Sequence, residues 1–119
     1  MSQGTVIEWP VLFALVQQFP ATRGKRSSFV DDFISMWEPR SFRLKRALST
    51  GDLDDADVVL LSIESSGHML GATTLEAIAG MVHTCVKKGD TAGAVRHLPR
   101  LTEVGHETCA ELVRILGDG

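Results

Sequence analysis

The sequence has four histidines and two cysteines, whose imidazole and thiol groups are candidate nucleophiles and metal ligands. His97 and His106 are nine residues apart, which puts them about 180° out of step on one helix and rules out a shared metal site there. We expect both of them, and His83, at the surface. Cys85 and Cys109 lie within apolar series, so we interpret them as small core side chains and not as reactive thiols. The sequence predicts neither a cofactor nor a metal.

The composition is that of an ordinary folded domain. The chain has 119 residues, of which 44% are hydrophobic and 23% are charged, enough to bury one core without disulfides. A net charge of −3 creates no field that would hold nucleic acid or an anionic membrane. The start lacks the basic and apolar segments of a signal peptide, and no apolar run reaches the ~20 residues of a membrane span. We therefore expect one soluble, cytoplasmic domain over residues 1–119.

The hydrophobic periodicity is helical throughout. No alternating apolar run with hairpin turn signals appears, so the fold class predicted is all-α. A short helix should begin at Pro10 and stop before Pro20. The next apolar series, from Phe29 to Leu48, should be kinked or split at Pro39.

Three further helices follow from cap signals. They are predicted from Asp52 to about Met69 with Gly71 as the C-cap, from a capping box at Thr73–Glu76 to Gly89, and from Asp90 or Thr91 to about Ile115 with an early kink at Pro99. Short connections between amphipathic helices favour antiparallel neighbours. The architecture predicted is an up-down four-helix bundle with a short extra N-terminal helix.

The third of these helices carries apolar residues on two sides. At 100° per residue, one stripe turns into the bundle: Leu60, Ile63, Gly67 and Leu70. Nearly opposite lie Val58, Leu61, Ser65 and His68. An amphipathic helix should be polar there, so Val58 and Leu61 are expected to meet solvent or a partner. Isolated exposed apolar residues are also common and then carry no function.

The segment Leu61–Ala72, LSIESSGHMLGA, together with the Gly51-Asp52 and Gly89-Asp90 turns, resembles the histidine-containing phosphotransfer (HPt) domains of phosphorelays. In that family the corresponding helix carries H-x-L-K-G-S-S-x-x-L-G-A, and its histidine accepts a phosphoryl group from a receiver domain. The resemblance covers nearly the whole chain. It implies a helical bundle in a two-component system and a partner that is the receiver domain of a response regulator or hybrid histidine kinase.

The sequence departs from the family at the phosphoacceptor itself. Without gaps, Leu61 occupies the histidine position, Glu64 the lysine and Ser65 the glycine. Leucine has no nucleophile, and Glu64 would repel a phosphoryl group that a lysine attracts. We therefore expect a pseudo-phosphotransferase, in which Leu61, flanked by Val58, Glu64, Ser65 and His68, enters the receiver cleft as an apolar plug. Whether any enzymatic activity remains is left open.

Two alternatives accompany this hypothesis. His68 lies two turns beyond Leu61 on the same face and could be a displaced phosphoacceptor, with Ser65 and Ser66 supplying hydrogen bonds, although this helix has no lysine or arginine. An exposed histidine near a helix end is also favoured without any function. The second alternative is a generic helical interaction domain that shares only helix turns with the HPt family.

Basic residues precede the acidic third helix. Arg40, Arg43 and Lys45 could steer an acidic receiver pocket toward Leu61, or could simply pair with acidic residues of the same chain. A further basic cluster lies in the linker at Arg23, Lys25 and Arg26. The oligomeric state stays open, since Val58 and Leu61 could also meet a second copy.

Overall fold

A computed structural model describes residues 7–18 and 28–116, and all regular structure in these ranges is α-helical. The five helices are α1 (Trp9–Gln18), α2 (Ser28–Thr50), α3 (Leu53–Leu70), α4 (Thr73–Lys87) and α5 (Thr91–Leu116). The predicted all-α class is confirmed. The basic linker cluster at Arg23, Lys25 and Arg26 lies outside the described residues.

Side-chain caps begin α3 and α5 as predicted. The Asp52 carboxylate accepts a hydrogen bond from the backbone N–H of Asp55 at 3.1 Å, and Asp90 accepts one from Gly93 at 2.9 Å. Each carboxylate satisfies a backbone donor that the first turn of a helix leaves unpaired. Together the two caps fix where these helices begin.

The turn between α3 and α4 depends on Gly71. Its φ is +75°, a left-handed conformation that costs glycine little. Its carbonyl also accepts the backbone N–H of Glu8 at 2.7 Å, just ahead of α1. The capping box expected at Thr73 does not form: Ala72 precedes α4 without a side-chain cap. The Glu76 carboxylate that should have closed the box binds His68 instead.

Neither internal proline ends its helix. Pro39 lies within α2 and Pro99 within α5, so the split expected at Pro39 was wrong. Both prolines are exposed, while Trp37 and Ser41 on either side of Pro39 are buried. Tertiary packing of the residues before and after the proline offsets the missing backbone hydrogen bond.

Four helices enclose the core in a closed cycle of contacts. Among the described residues, α2 packs on α3 and α5, α4 packs on the same two helices, and α1 packs on α3 alone. The predicted inner stripe of α3 is confirmed, because Leu60, Ile63, Gly67 and Leu70 are all buried. Among the described residues no helix combines the length and apolarity needed to cross a bilayer.

The largest core side chain joins α2 to α5. Trp37 is 1% exposed and lies 6.1 Å from the Phe33 ring, centroid to centroid. Its ring also packs against Gly105 of α5, where any β-carbon would overlap the indole. Gly105 therefore allows α5 to approach α2 closely enough to bury the tryptophan.

Candidate docking surface on the second and third helices

The outward side of α3, here called the Leu61 face, consists of Val58, Leu61, Ser65 and His68. All four are exposed, and Val58 and Leu61 are each 55% exposed. The helical-wheel prediction for this side is thus confirmed. Two large apolar side chains separated by one helical turn are held in solvent at its centre.

A groove continues the Leu61 face toward α2. This α2–α3 groove has a volume of about 260 Å³, and its lining is Met36, Pro39, Arg40, Arg43, Val58, Val59 and Ser62. Met36 is itself 44% exposed, so the apolar surface extends across both helices. The arginines predicted to steer a partner lie in this groove.

Arg43 is already paired within the chain. Its Nη2 lies 2.5 Å from Oδ1 of Asp55, and its Nε donates to both carboxylate oxygens at 3.1 and 3.2 Å. The guanidinium holds the pKa of the Asp55 carboxyl below its ordinary value, mainly through these hydrogen bonds. Arg43 of α2 is thus paired with Asp55 of the neighbouring helix α3.

Arg40 keeps unused hydrogen-bonding capacity. Its side chain is half-buried, and its Nη1 is buried without a hydrogen-bond partner among the described residues. Burial lowers the pKa of Arg40, because desolvation disfavours the charged form of the guanidinium. Arg40 also lines a second groove of about 140 Å³ that contains Asp32 and Ser66. It therefore borders two grooves that open beside α3.

His68 lies at the end of the Leu61 face. Its side chain is 76% exposed, and its Nδ1 is 3.2 Å from the Glu76 carboxylate of α4. A carboxylate can orient an imidazole for nucleophilic attack. Glu76, however, places a negative charge beside the ring, and α3 itself has no lysine or arginine to balance a phosphoryl group.

The residue that sequence reasoning missed is His83 on α4. It was expected at the surface, but its side chain is only 7% exposed. Its Nε2 lies 2.5 Å from Oδ1 of Asp57, and its Nδ1 contacts the Glu64 carboxylate. Glu64 therefore turns away from the Leu61 face toward α4. The only signal in the sequence was the seven-residue spacing of Asp57 and Glu64, which places both acids on one side of α3.

His106 and Cys109 agree with the sequence interpretation, whereas His97, also expected at the surface, is half-buried. His106 is exposed and contacts Glu38 at 2.6 Å. Burial and the nearby Glu38 raise the pKa of the Cys109 thiol to about 11, which suits an unreactive side chain. Among the described residues, no three histidine, cysteine, aspartate or glutamate side chains are grouped as metal ligands would be.

Fold and surface together define an all-helical domain whose third helix presents apolar side chains beside a groove containing an incompletely bonded arginine. Comparison of the chain with protein-family models, curated proteins and solved structures finds no match. The docking surface, meaning the Leu61 face plus the α2–α3 groove, is the basis for the function proposed below.

Proposed function

We propose that this chain is an HPt-like signalling module that docks receiver domains of response regulators or hybrid histidine kinases without relaying phosphate. In this proposal α2–α5 form the up-down four-helix bundle of that family, α1 is an addition, and the module acts in the cytoplasm. The observation that carries the proposal is the position of Leu61. It aligns with the family's phosphoacceptor and is 55% exposed at the centre of the Leu61 face.

An exposed leucine at this point favours binding over chemistry. Leu61 offers no lone pair to a phosphoryl group. Covering Leu61 and Val58 with a partner would remove apolar surface from water, for a gain of about 1 kcal/mol from each half-exposed side chain. Leu61 thus acts as a plug in the receiver cleft.

Arg40 supplies the electrostatic part of the proposal. A receiver domain presents acidic residues around its phosphorylation site, as the family resemblance implies. Arg43 is already occupied by Asp55, whereas Arg40 retains a buried nitrogen without a partner. An acidic group entering the α2–α3 groove would relieve this unpaired donor. In this proposal Arg40 pairs with an acidic group of the partner, and Arg43 contributes longer-range attraction.

The test measures binding and phosphoryl transfer together. Receiver domains from the same organism are phosphorylated with a labelled small-molecule donor, and their affinity for the chain is measured by calorimetry. Leu61→Asp should weaken binding by at least about a hundredfold, because it places a charge in the apolar contact. Val95→Asp is the matched control, since Val95 is an exposed apolar residue on α5. Unchanged affinity of the Leu61 variant would contradict the proposal.

The same experiment separates the alternatives. Binding without label on the chain supports a pseudo-phosphotransferase. Label that appears on the wild type and vanishes in His68→Ala would establish a displaced phosphoacceptor and overturn the plug mechanism. With neither binding nor label, a generic helical interaction domain would remain.

A further inference from the structure

His83 links the exposed face of α3 to the neighbouring helix. Asp57 lies four residues before Leu61, and Glu64 lies three residues after it. On a helix both positions adjoin Leu61 on the same side, and here that side is turned to α4. One buried imidazole contacts both carboxylates, so a single residue determines where two negative charges lie beside the plug.

The contacts use both nitrogens of the imidazole ring. Nε2 faces Asp57 and Nδ1 faces Glu64, so each ring nitrogen has one carboxylate as its partner. Among the described residues no lysine or arginine nitrogen lies within 4 Å of either carboxylate. On the opposite flank of α3, Arg43 holds Asp55 in a comparable way. The two acidic flanks of the Leu61 face are thus each tied to a neighbouring helix.

We propose that His83 is a positioning residue of the docking surface, which holds Asp57 and Glu64 against α4 so that an acidic partner can reach Leu61. This inference rests on the proposed function, because it explains how a helix rich in carboxylates presents a plug to an acidic cleft. Without the imidazole, both side chains would extend into solvent around Leu61. Like charges then oppose the approach of the partner.

The expected effect is moderate and depends on salt. Two carboxylates roughly 8 Å from acidic groups of the partner, largely in water, should weaken docking about fivefold at low ionic strength. At about 0.5 M salt the Debye length is a few ångströms, and most of this loss should disappear. A general loss of folding would not show this salt dependence.

The variant His83→Gln keeps a polar side chain of similar reach but makes at most part of the double contact. In the rescue variant, His83→Gln is combined with Asp57→Asn and Glu64→Gln, which removes the charges that lost their partner. His106→Gln is the matched control, because His106 also contacts a carboxylate but lies on α5. Thermal unfolding of every variant shows that the folded protein is being compared.

A first measurement is independent of any partner. Cationic and anionic nitroxide probes are added to the isotopically labelled chain, and their relaxation effects on the backbone amide of Leu61 report the local potential. We expect the ratio of cationic to anionic effect to rise in His83→Gln, to return in the rescue variant and to stay unchanged in His106→Gln. An unchanged ratio in His83→Gln would overturn the inference, whether or not the chain binds receiver domains.

The second measurement is receiver-domain affinity at low and high salt. A fivefold loss in His83→Gln that the rescue variant restores supports the positioning role. If His83→Gln binds like the wild type at low salt, or if the rescue variant stays weak although it is folded, His83 has no such role. Failure of the wild type to bind would count against the proposed function, while the probe measurement would still decide whether His83 positions the two carboxylates.

Discussion

Two adjacent leucines of α3 provide a direct test of the fold and of the docking surface. Leu60 is completely buried, whereas Leu61 is 55% exposed. Replacing Leu60 by alanine removes a fully packed side chain and leaves a cavity, which should lower the free energy of unfolding by about 3 kcal/mol. Replacing Leu61 by alanine should change it by about 0.5 kcal/mol or less. Because both substitutions put alanine into one helix, helix propensity largely cancels in the comparison.

The comparison is made by urea unfolding followed by far-ultraviolet circular dichroism, with similar slopes in urea required of both variants. Receiver binding should show the opposite order, since Leu61→Ala weakens docking and folded Leu60→Ala retains it. If Leu61→Ala loses as much stability as Leu60→Ala, Leu61 is buried in solution and the docking surface does not exist as described. A neutral Leu60→Ala would refute the assignment of the inner stripe.

Three further predictions concern packing and ionisation. Gly105→Ala should destabilise the protein by about 2 kcal/mol or more, because the added β-carbon overlaps the buried indole. Gly80 lies in a helix with open space around it, so Gly80→Ala should stabilise the protein by about 0.5 kcal/mol in the same urea assay. In Arg43→Gln, NMR titration should show the pKa of Asp55 rising toward its ordinary value. In the wild type, the ion pair stabilises the fold at pH values above the ordinary pKa of Asp55, and this stabilisation is lost as the pH falls through the lowered pKa. With a pKa of about 11, the Cys109 thiol is ionised in about one molecule per thousand near pH 8. Its alkylation should therefore be slow until urea unfolds the chain, which peptide mass spectrometry can measure.

The sequence was most informative where structure depends on neighbours along the chain. The period of 3.6 residues placed Leu60 inside and Leu61 outside, and both assignments are confirmed. The caps at Asp52 and Gly71 were also predicted correctly, since each involves a turn of only a few residues. These local rules were sufficient to define the ends and the outward side of α3.

Sequence reasoning failed where a residue's surroundings come from another helix. The burial of His83 depends on the rotation and register of α4 against α3, which bring it to Asp57 across 26 positions of sequence. Glu76 satisfied the capping-box pattern, yet in the folded chain its carboxylate contacts His68. Pro39 was expected to kink or split α2, but α2 is not split there, and the residues on either side of the proline, Trp37 and Ser41, are buried. In each case tertiary packing outweighed a local preference.

Gly71, in the turn between α3 and α4, contacts the start of α1. The glycine carbonyl accepts the Glu8 N–H, and an added β-carbon would lie 2.7 Å from the Glu8 carbonyl oxygen and 2.9 Å from Cβ of Val11. Among the described residues α1 packs on α3 alone and adds Leu12 and Leu15 to the core from that side, so its detachment leaves the contacts among α2–α5 in place. In amide hydrogen exchange, α1 should therefore open as a separate cooperative unit, at a lower free energy than global unfolding. The chain thus contains a first helix that can be released, seated on a corner where only glycine fits.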